Sequence, residues 1–253
     1  MPLLIIFFLL TAFIYASVGF GGGSTYNALL ALSGVDYRVF PSIALICNII
    51  VAGGGAWRFA MAEHVSLRRA APFFVLSIPM AWFGGRLHLP EEVFIGALAI
   101  ALLVAGFLML FQPKTDKEEK PRATKRAGDM AIGAGIGFGS GLLGIGGGIL
   151  LAPYLHITRW GRPKEIAGIA SFFIAANSIA GLAGQMSKVV ALQLTDVLLA
   201  YWPLPLAVLI AGQLGSRFGA RIFSETRIKQ VTAILVLYVS ARLLWRWGAM
   251  FFT

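Results

Sequence analysis

The chain has 253 residues, of which 58% are hydrophobic and 13% are charged, and its formal net charge is +10. Soluble domains carry about 25% charged residues, so this composition excludes a soluble protein and indicates one embedded in a bilayer. The basic residues lie between apolar stretches, where membrane topology accounts for them, and a nucleic-acid-binding function is therefore set aside.

Eight apolar stretches follow one another along the chain. They run over residues 2–33, 42–62, 70–85, 93–111, 130–155, 166–186, 197–215 and 228–252. Most are near the roughly 20 residues that a helix needs to cross about 30 Å of hydrocarbon. They lack the alternating polarity of membrane β-strands, so the sequence predicts an all-α polytopic membrane protein. The first stretch has no basic segment before it, and we expect it to be retained.

The sequence contains an internal duplication. Two glycine clusters, at residues 19–23 and 144–148, match at an offset of 125 residues, and Asn48 and Asn177 follow them in the next apolar stretch. Each half is predicted to hold four segments, a glycine-broken first segment and three transmembrane helices. The first membrane repeat covers 1–112 and the second covers 129–253. The basic stretch 113–128 between them is predicted to be a cytoplasmic connector.

The distribution of lysine and arginine bears on the orientation of these repeats. If each broken segment is a re-entrant hairpin, one face gathers most of the basic residues. The other face keeps Arg38, Arg86, Lys188, Arg242 and Arg246. The positive-inside rule favours this arrangement over an interrupted crossing, in which the charges divide about evenly. We therefore expect inverted repeats in a bacterial inner (plasma) membrane, with both termini outside the cytoplasm.

The glycine breaks predict a binding site for a solute. A break frees backbone groups that lipid cannot satisfy, and consecutive glycines let a solute approach the backbone closely. The N-termini of the half-helices that follow favour an anion, and broken helices in inverted repeats recur in secondary transporters, with the solute near the midplane. The predicted substrate-binding residues are Gly21, Gly22, Gly23, Ser24, Thr25, Asn27 and Asn48 in the first repeat and Gly146, Gly147, Gly148, Ser171, Asn177, Ser178 and Gln213 in the second.

Three arginines at helix ends, Arg58, Arg86 and Arg217, have two interpretations. They are either snorkelling anchors or cations that draw anions into vestibules. Acidic residues lie near the boundaries of the apolar segments, which favours an anionic substrate over a cation.

A metal centre or an enzyme active site is not predicted. The histidines His64, His88 and His156 lie at segment ends without ligand spacing, and Cys47 is the single cysteine. We therefore expect no metal, no cofactor and no catalytic residues.

The segments 17–23 (Ser-Val-Gly-Phe-Gly-Gly-Gly) and 141–148 (Gly-Leu-Leu-Gly-Ile-Gly-Gly-Gly), together with the duplicated layout and the length, resemble the TauE/SafE sulfite exporter family of permeases. The resemblance covers essentially the whole chain. It implies export of sulfite, organosulfonates or other small anions, with the glycines 21–23 and 146–148 at the centre of function and Asn48 and Asn177 on the path. Pro153 stands where the first half has Ala28, so the two half-helices need not superimpose.

Other functions stay open at this point. A passive anion channel also uses half-helices, and a non-transporting membrane subunit is a further alternative. The partners we consider are the anionic substrate, membrane lipid, a coupling proton or another ion, and a second copy of the chain in a homodimer.

Overall fold

The computed structural model describes residues 1–18, 21–61, 66–110, 126–218 and 225–250, and in these ranges the regular structure is entirely helical. The helices are α1 (Pro2–Val18), α2 (Gly23–Leu32), α3 (Phe40–Met61), α4 (Leu67–Arg86), α5 (Glu91–Leu110), α6 (Arg126–Leu143), α7 (Gly148–Ile157), α8 (Pro163–Ala191), α9 (Thr195–Leu199), α10 (Pro203–Phe218) and α11 (Glu225–Ala249). The predicted connector 113–128 lies outside the described residues up to 125, and so do residues 19 and 20 of the first glycine cluster.

The predicted all-α membrane class is confirmed. Within the described ranges, α3, α5, α8 and the stretch Thr195–Arg217 are each long and apolar enough to cross a membrane. Of the most apolar part of α3, 67% is buried, against 22% for Thr195–Arg217. Hence α3 lies at the centre of the bundle, while α10 lies at its periphery with apolar side chains exposed.

Both glycine clusters interrupt a helix. The helices that follow them, α2 and α7, have 10 residues each, about 15 Å, which is half the hydrocarbon thickness. The ring of Tyr26 stacks on that of Phe8 with centroids 4.7 Å apart, and a Cβ added at Gly22 would lie 3.0 Å from Thr11 Cγ2. A continuous helix would separate Gly22 and Thr11 by about 16 Å. The chain therefore turns back, and α2 begins beside the middle of α1.

The second cluster turns back in the same way. A Cβ added at Gly147 would lie 2.9 Å from Ile136 Cγ2, in the middle of α6. Gly147 and Ile136 correspond to Gly22 and Thr11 at the offset of 125 residues.

Helices of the two halves interleave. The backbone of α4 packs against glycines of α6, where Gly133, Gly137 and Gly141 meet Phe73, Ser77 and Ala81. Likewise Gly215 of α10 meets the Phe13 carbonyl of α1. Close approach of this kind needs residues without a side chain. The third segment of each half thus packs on the first segment of the other half.

Candidate functional site at the glycine breaks

The two glycine breaks meet in the interior. A Cβ added at Gly23, the first residue of α2, would lie 2.9 Å from the carbonyl oxygen of Ile145 and 3.0 Å from that of Gly144. The Asn27 amide nitrogen donates to the carbonyl oxygen of Leu143, the last residue of α6, at 2.9 Å. The start of α2 is therefore held against the end of α6, and we call this region the junction.

Asn48 of α3 occupies the middle of the junction. A Cβ at Gly21 would lie 2.5 Å from its Oδ1, a Cβ at Gly146 would lie 2.6 Å from its Nδ2, and its Nδ2 also contacts Gly23. The side chain is 0% exposed, and neither amide atom has a hydrogen-bond partner. Buried polar atoms are almost always paired, so an amide with both ends free calls for a functional explanation.

Ile174 of α8 faces Asn48 across the junction. Its Cγ2 would lie 3.0 Å from a Cβ at Gly21 and 3.0 Å from one at Gly146, and its side chain also contacts Gly148. It is 3% exposed. Sequence comparison paired Asn48 with Asn177, but Ile174, three residues earlier, makes the corresponding contacts. Asn177 donates to the Phe173 carbonyl oxygen of its own helix at 2.9 Å.

The helices that start at the junction have glycine N-caps. Gly22 precedes α2 and Gly147 precedes α7, and neither provides a side-chain cap. The N-caps therefore give the first-turn N–H groups no side-chain acceptor, and in α7 the Leu150 N–H donates to the Gly147 carbonyl oxygen at 3.1 Å. Gly144, Gly146 and Gly147 have φ of 74°, 76° and 76°, a left-handed conformation that glycine adopts readily. These three positions explain why the second cluster is rich in glycine.

The other predicted binding residues have varied surroundings. Ser24, Thr25, Ser171 and Ser178 are all buried. Thr25 Oγ1 is hydrogen-bonded to the Tyr15 hydroxyl at 2.8 Å, and the Ser171 hydroxyl donates to the Ala167 carbonyl at 2.9 Å. The Ser178 hydroxyl has no partner. Ile174 is not among the predicted residues, because an isoleucine in an apolar helix carries no functional signal.

A cavity of about 380 Å³ lies between the C-terminal end of α3 and α10. It is lined by Ile50, Val51, Gly54, Trp57, Arg58, Gly212, Gln213, Ser216 and Arg217. Two of the three predicted vestibule arginines, Arg58 and Arg217, line this cavity. Gln213 lines it as well; its side chain is exposed and lies away from the junction. Arg58 donates to the carbonyl oxygens of Ala16 at 2.9 Å and Ser216 at 2.7 Å. We call this cavity the Arg58 mouth.

A second group of basic residues lies at the opposite end of α3. Arg38, just before α3, lines a depression with His88 and Lys188. We call this depression the Lys188 mouth. Because α3 has 22 residues, about 33 Å of helix, the Lys188 mouth and the Arg58 mouth lie at opposite ends of the bundle. Hydrogen bonding to Arg38 holds the pKa of the Asp36 carboxyl below its usual value. Sequence analysis did not single out Lys188.

Gln185 and Arg86 are also at this end. The Gln185 amide nitrogen donates to the carbonyl oxygens of Gly141 at 2.7 Å and Leu142 at 3.3 Å. Gly141 corresponds to Ala16 at the offset of 125 residues, so Gln185 binds the end of α6 as Arg58 binds the end of α1. Arg86, at the end of α4, lies over the Trp82 ring at 4.7 Å.

One acidic side chain, that of Asp129, is buried more deeply than its position at a segment boundary indicates. Asp129, in the first turn of α6, is buried and its Oδ2 has no partner. It directly precedes the apolar stretch 130–155, and its burial was not predicted because residues at such a boundary are usually exposed. Within the described ranges, His, Cys, Asp and Glu do not form a group of three that could hold a metal ion.

Apolar spans around a buried polar junction, with basic side chains at each end, define a multi-pass membrane transporter. The chain belongs to the Sulfite exporter TauE/SafE family, which it matches over residues 4–243. It is 32% identical to a probable membrane transporter protein of Sinorhizobium fredii, over 96% of this chain and 97% of that protein. It is 24% identical to a probable membrane transporter protein of Methanocaldococcus jannaschii, over 93% and 91%. No solved structure matches it significantly. The chain is accordingly a membrane transporter and not an enzyme.

Proposed function

We propose that the transporter exports a small anion, such as sulfite or an organosulfonate, across the bacterial inner membrane by alternating access around the junction. The observation that carries this proposal is the Asn48 amide, fully buried and without a partner at the point where two glycine breaks meet. A bound oxyanion would accept a hydrogen bond from Asn48 Nδ2 and from N–H groups at the two helix starts.

The charge of the surroundings favours an anion. The side chains that contact the glycines of the two breaks are neutral: Thr11, Tyr26, Pro41, Asn48, Ile136, Ser140, Phe173 and Ile174. Helix starts carry a partial positive charge, and guanidinium and ammonium groups at the two mouths would raise the local concentration of anions. A cation site would need carboxylates in these positions.

Several contacts support inverted repeats of residues 1–112 and 129–253. The matched arginines Arg86 and Arg217 lie at different mouths, and Arg58 and Gln185 bind matched carbonyl groups at opposite ends. An inverted pair of repeats requires this exchange of ends. The return of α2 along α1 favours the re-entrant hairpin, which puts both termini outside and the basic connector 113–128 in the cytoplasm.

Burial of the junction favours a carrier over a channel. Asn48 and Ile174 are 0% and 3% exposed, and Val51, at the inner end of the Arg58 mouth, is 3% exposed. The junction is thus closed from both sides in this conformation. In a carrier, one mouth opens at a time, and the two halves exchange conformations.

The test is anion flux into proteoliposomes that contain the purified protein, with sulfite, taurine, sulfoacetate and chloride as solutes. We expect sulfite or sulfonate flux, driven by an imposed pH gradient if a proton is the coupling ion. If a gradient of another ion drives the flux, that ion and not the proton is the coupling ion. Absence of flux for every anion would refute the proposal. Light scattering on the detergent-solubilised protein, before reconstitution, tests whether two copies of the chain form a homodimer.

A further inference from the structure

The Arg58 mouth contains two arginines whose charges are not balanced by acidic side chains. Arg58, in the last turn of α3, and Arg217, in the last turn of α10, line the same cavity of about 380 Å³. Within the described ranges, no carboxylate oxygen lies within 4 Å of either guanidinium. A guanidinium keeps its charge in proteins, so two like charges border one space. An anion between them would offset their repulsion.

Several hydrogen-bond donors of this cavity remain free. Arg58 donates to the carbonyl oxygens of Gly54, Ala16 and Ser216, which uses three of the five N–H groups of its guanidinium. Among the residues that the structure describes, the Arg217 guanidinium and the Gln213 amide have no protein acceptor. These donors could bind the oxygen atoms of an anion.

Much of the remaining lining is apolar. It consists of Ile50, Val51, Trp57 and the glycines 54 and 212. The volume of the cavity lies within the range of about 300–1,000 Å³ that is usual for small-molecule sites. A ligand that fills it must therefore combine an anionic group with hydrocarbon.

An exposed stripe of α10 leads into the cavity. Leu206, Ile210, Gln213 and Arg217 follow one another at spacings of four, three and four residues, so they lie on one face of the helix. All four are exposed. The two apolar residues lie on the peripheral side of the bundle, and the two polar ones line the cavity. A hydrocarbon chain along Leu206 and Ile210 would thus end beside Arg217.

We propose that the Arg58 mouth binds an anionic phospholipid. The phosphate lies between Arg58 and Arg217, Gln213 donates to an oxygen of the head group, and an acyl chain packs on the stripe of α10. A small inorganic anion would leave the apolar lining in contact with water. A second copy of the chain, in the same membrane orientation, would bring two more arginines to the same depth, so charge favours the lipid. Because α3 and α10 belong to different halves, the bound phosphate links the two halves at this mouth.

The test is native mass spectrometry of the purified full-length protein, titrated with phosphatidylglycerol or with phosphatidylcholine, whose head group carries its own cation. For the wild type we expect one phosphatidylglycerol to bind at least tenfold more tightly than phosphatidylcholine. Arg217→Gln should lower the affinity for phosphatidylglycerol at least tenfold, the effect of losing one charge-assisted hydrogen bond. Arg217→Lys keeps the charge and should retain most of the affinity.

Arg68→Gln is the matched control. Arg68 is exposed in the first turn of α4, at the same end of the bundle, and does not line the cavity. This variant should bind phosphatidylglycerol as the wild type does. Equal losses in Arg68→Gln and Arg217→Gln would indicate a general attraction to basic residues and would overturn the proposal, as would equal affinities of the wild type for the two lipids.

Two further outcomes separate the lipid from other occupants. Glycerol 3-phosphate carries the phosphate without acyl chains, and we expect a hundredfold excess of it to leave the lipid bound. Displacement of the lipid by this soluble phosphate would assign the cavity to soluble anions instead. A dimer in the same spectra that binds no phosphatidylglycerol would assign this face to a second copy of the chain. Either result would overturn the proposal, and neither depends on which anion the protein transports.

Discussion

Several single residues at the junction are unfavourable for the stability of the folded protein, and their contacts do not offset this. Asn48 is a buried amide without a partner, and the second break holds three glycines at positive φ. Proteins depart from local rules of this kind mainly where function requires it. Substitutions that repair the local chemistry should therefore stabilise the protein and abolish its activity.

Asn48→Leu tests this at the centre of the junction. The change removes two unpaired polar groups, so we expect the protein to gain about 1–3 kcal/mol of stability and to lose anion transport. Thermal unfolding can be followed by the reaction of the buried Cys47 thiol with a fluorogenic maleimide.

Asn27→Leu is the matched control for this substitution. Asn27 donates to the Leu143 carbonyl, so the variant should lower the melting temperature. Wild-type flux in the Asn48→Leu protein would show that Asn48 does not bind the substrate.

Gly147→Ala tests the backbone of the second break. Gly147 has φ of 76°, and a Cβ would lie 2.9 Å from both Ile136 Cγ2 and Phe173 Cε1. The left-handed conformation costs a non-glycine residue about 1–2 kcal/mol, so we expect flux to fall severely, as measured in proteoliposomes. Gly139→Ala is the control, because a Cβ there has no atom within 4 Å, and it should transport normally. Equal flux in the two variants would contradict the assignment.

Among single residues, the sequence predicted the glycines and the polar side chains of the junction. The glycine clusters and Asn48 were found because they are costly in an apolar helix. The counterpart of Asn48 was assigned to Asn177, since two asparagines at a similar offset attract attention, whereas Ile174 makes the matching contacts. The sequence analysis predicts Gln213 as a substrate-binding residue, and in the structure it lines the Arg58 mouth, because position along an apolar run does not determine which face of the helix a side chain occupies.

At the scale of helices, the ends of α1 and α6 are held by side chains from α3 and α8. Arg58 binds the Ala16 carbonyl of α1 and the Ser216 carbonyl of α10, and Gln185 binds the Gly141 carbonyl of α6. A C-terminal helix end has free carbonyl groups that favour a cation or an amide donor. In the proposed alternating access, a wider opening of the Arg58 mouth would require Arg58 to release at least one of these carbonyl oxygens.

Arg58→Gln should therefore favour opening of the Arg58 mouth. We expect a reporter cysteine, Val51→Cys in a Cys47→Ser background, to react several-fold faster with a maleimide when Arg58 is replaced. Val51 is suitable because it lies at the inner end of that mouth and is 3% exposed.

Arg86→Gln serves as the control at the other end of the bundle, since Arg86 lies on Trp82. It should leave the labelling rate unchanged. An unchanged rate in Arg58→Gln as well would show that Arg58 does not close the mouth.

Helix identity was well predicted, and helix ends were less so. Long apolar runs specify membrane helices directly, so α3, α4, α5 and α8 begin and end within five residues of the predicted stretches. The packing of α2 beside α1 could not be predicted from the apolar runs. It depends on contacts such as Tyr26 on Phe8, which a linear pattern does not contain.

At the scale of the whole molecule, the two halves are intertwined. Helix α4 packs on α6, α10 packs on α1, and the central α3 packs on α8. Neither half can bury its small-residue faces alone, because α4 and α10 each pack on the first segment of the other half. This arrangement suits a carrier whose halves exchange conformations, and it predicts that movement of the anion in one direction accelerates movement in the other.

Counterflow tests this central claim most directly. Proteoliposomes are loaded with unlabelled ethanesulfonate, and the uptake of labelled ethanesulfonate is compared with that into empty vesicles, for the wild type and for Asn48→Leu. We expect internal substrate to accelerate wild-type uptake several-fold and to have no effect in Asn48→Leu. Uptake that internal substrate does not accelerate would indicate a channel, and acceleration that survives in Asn48→Leu would place the binding site elsewhere.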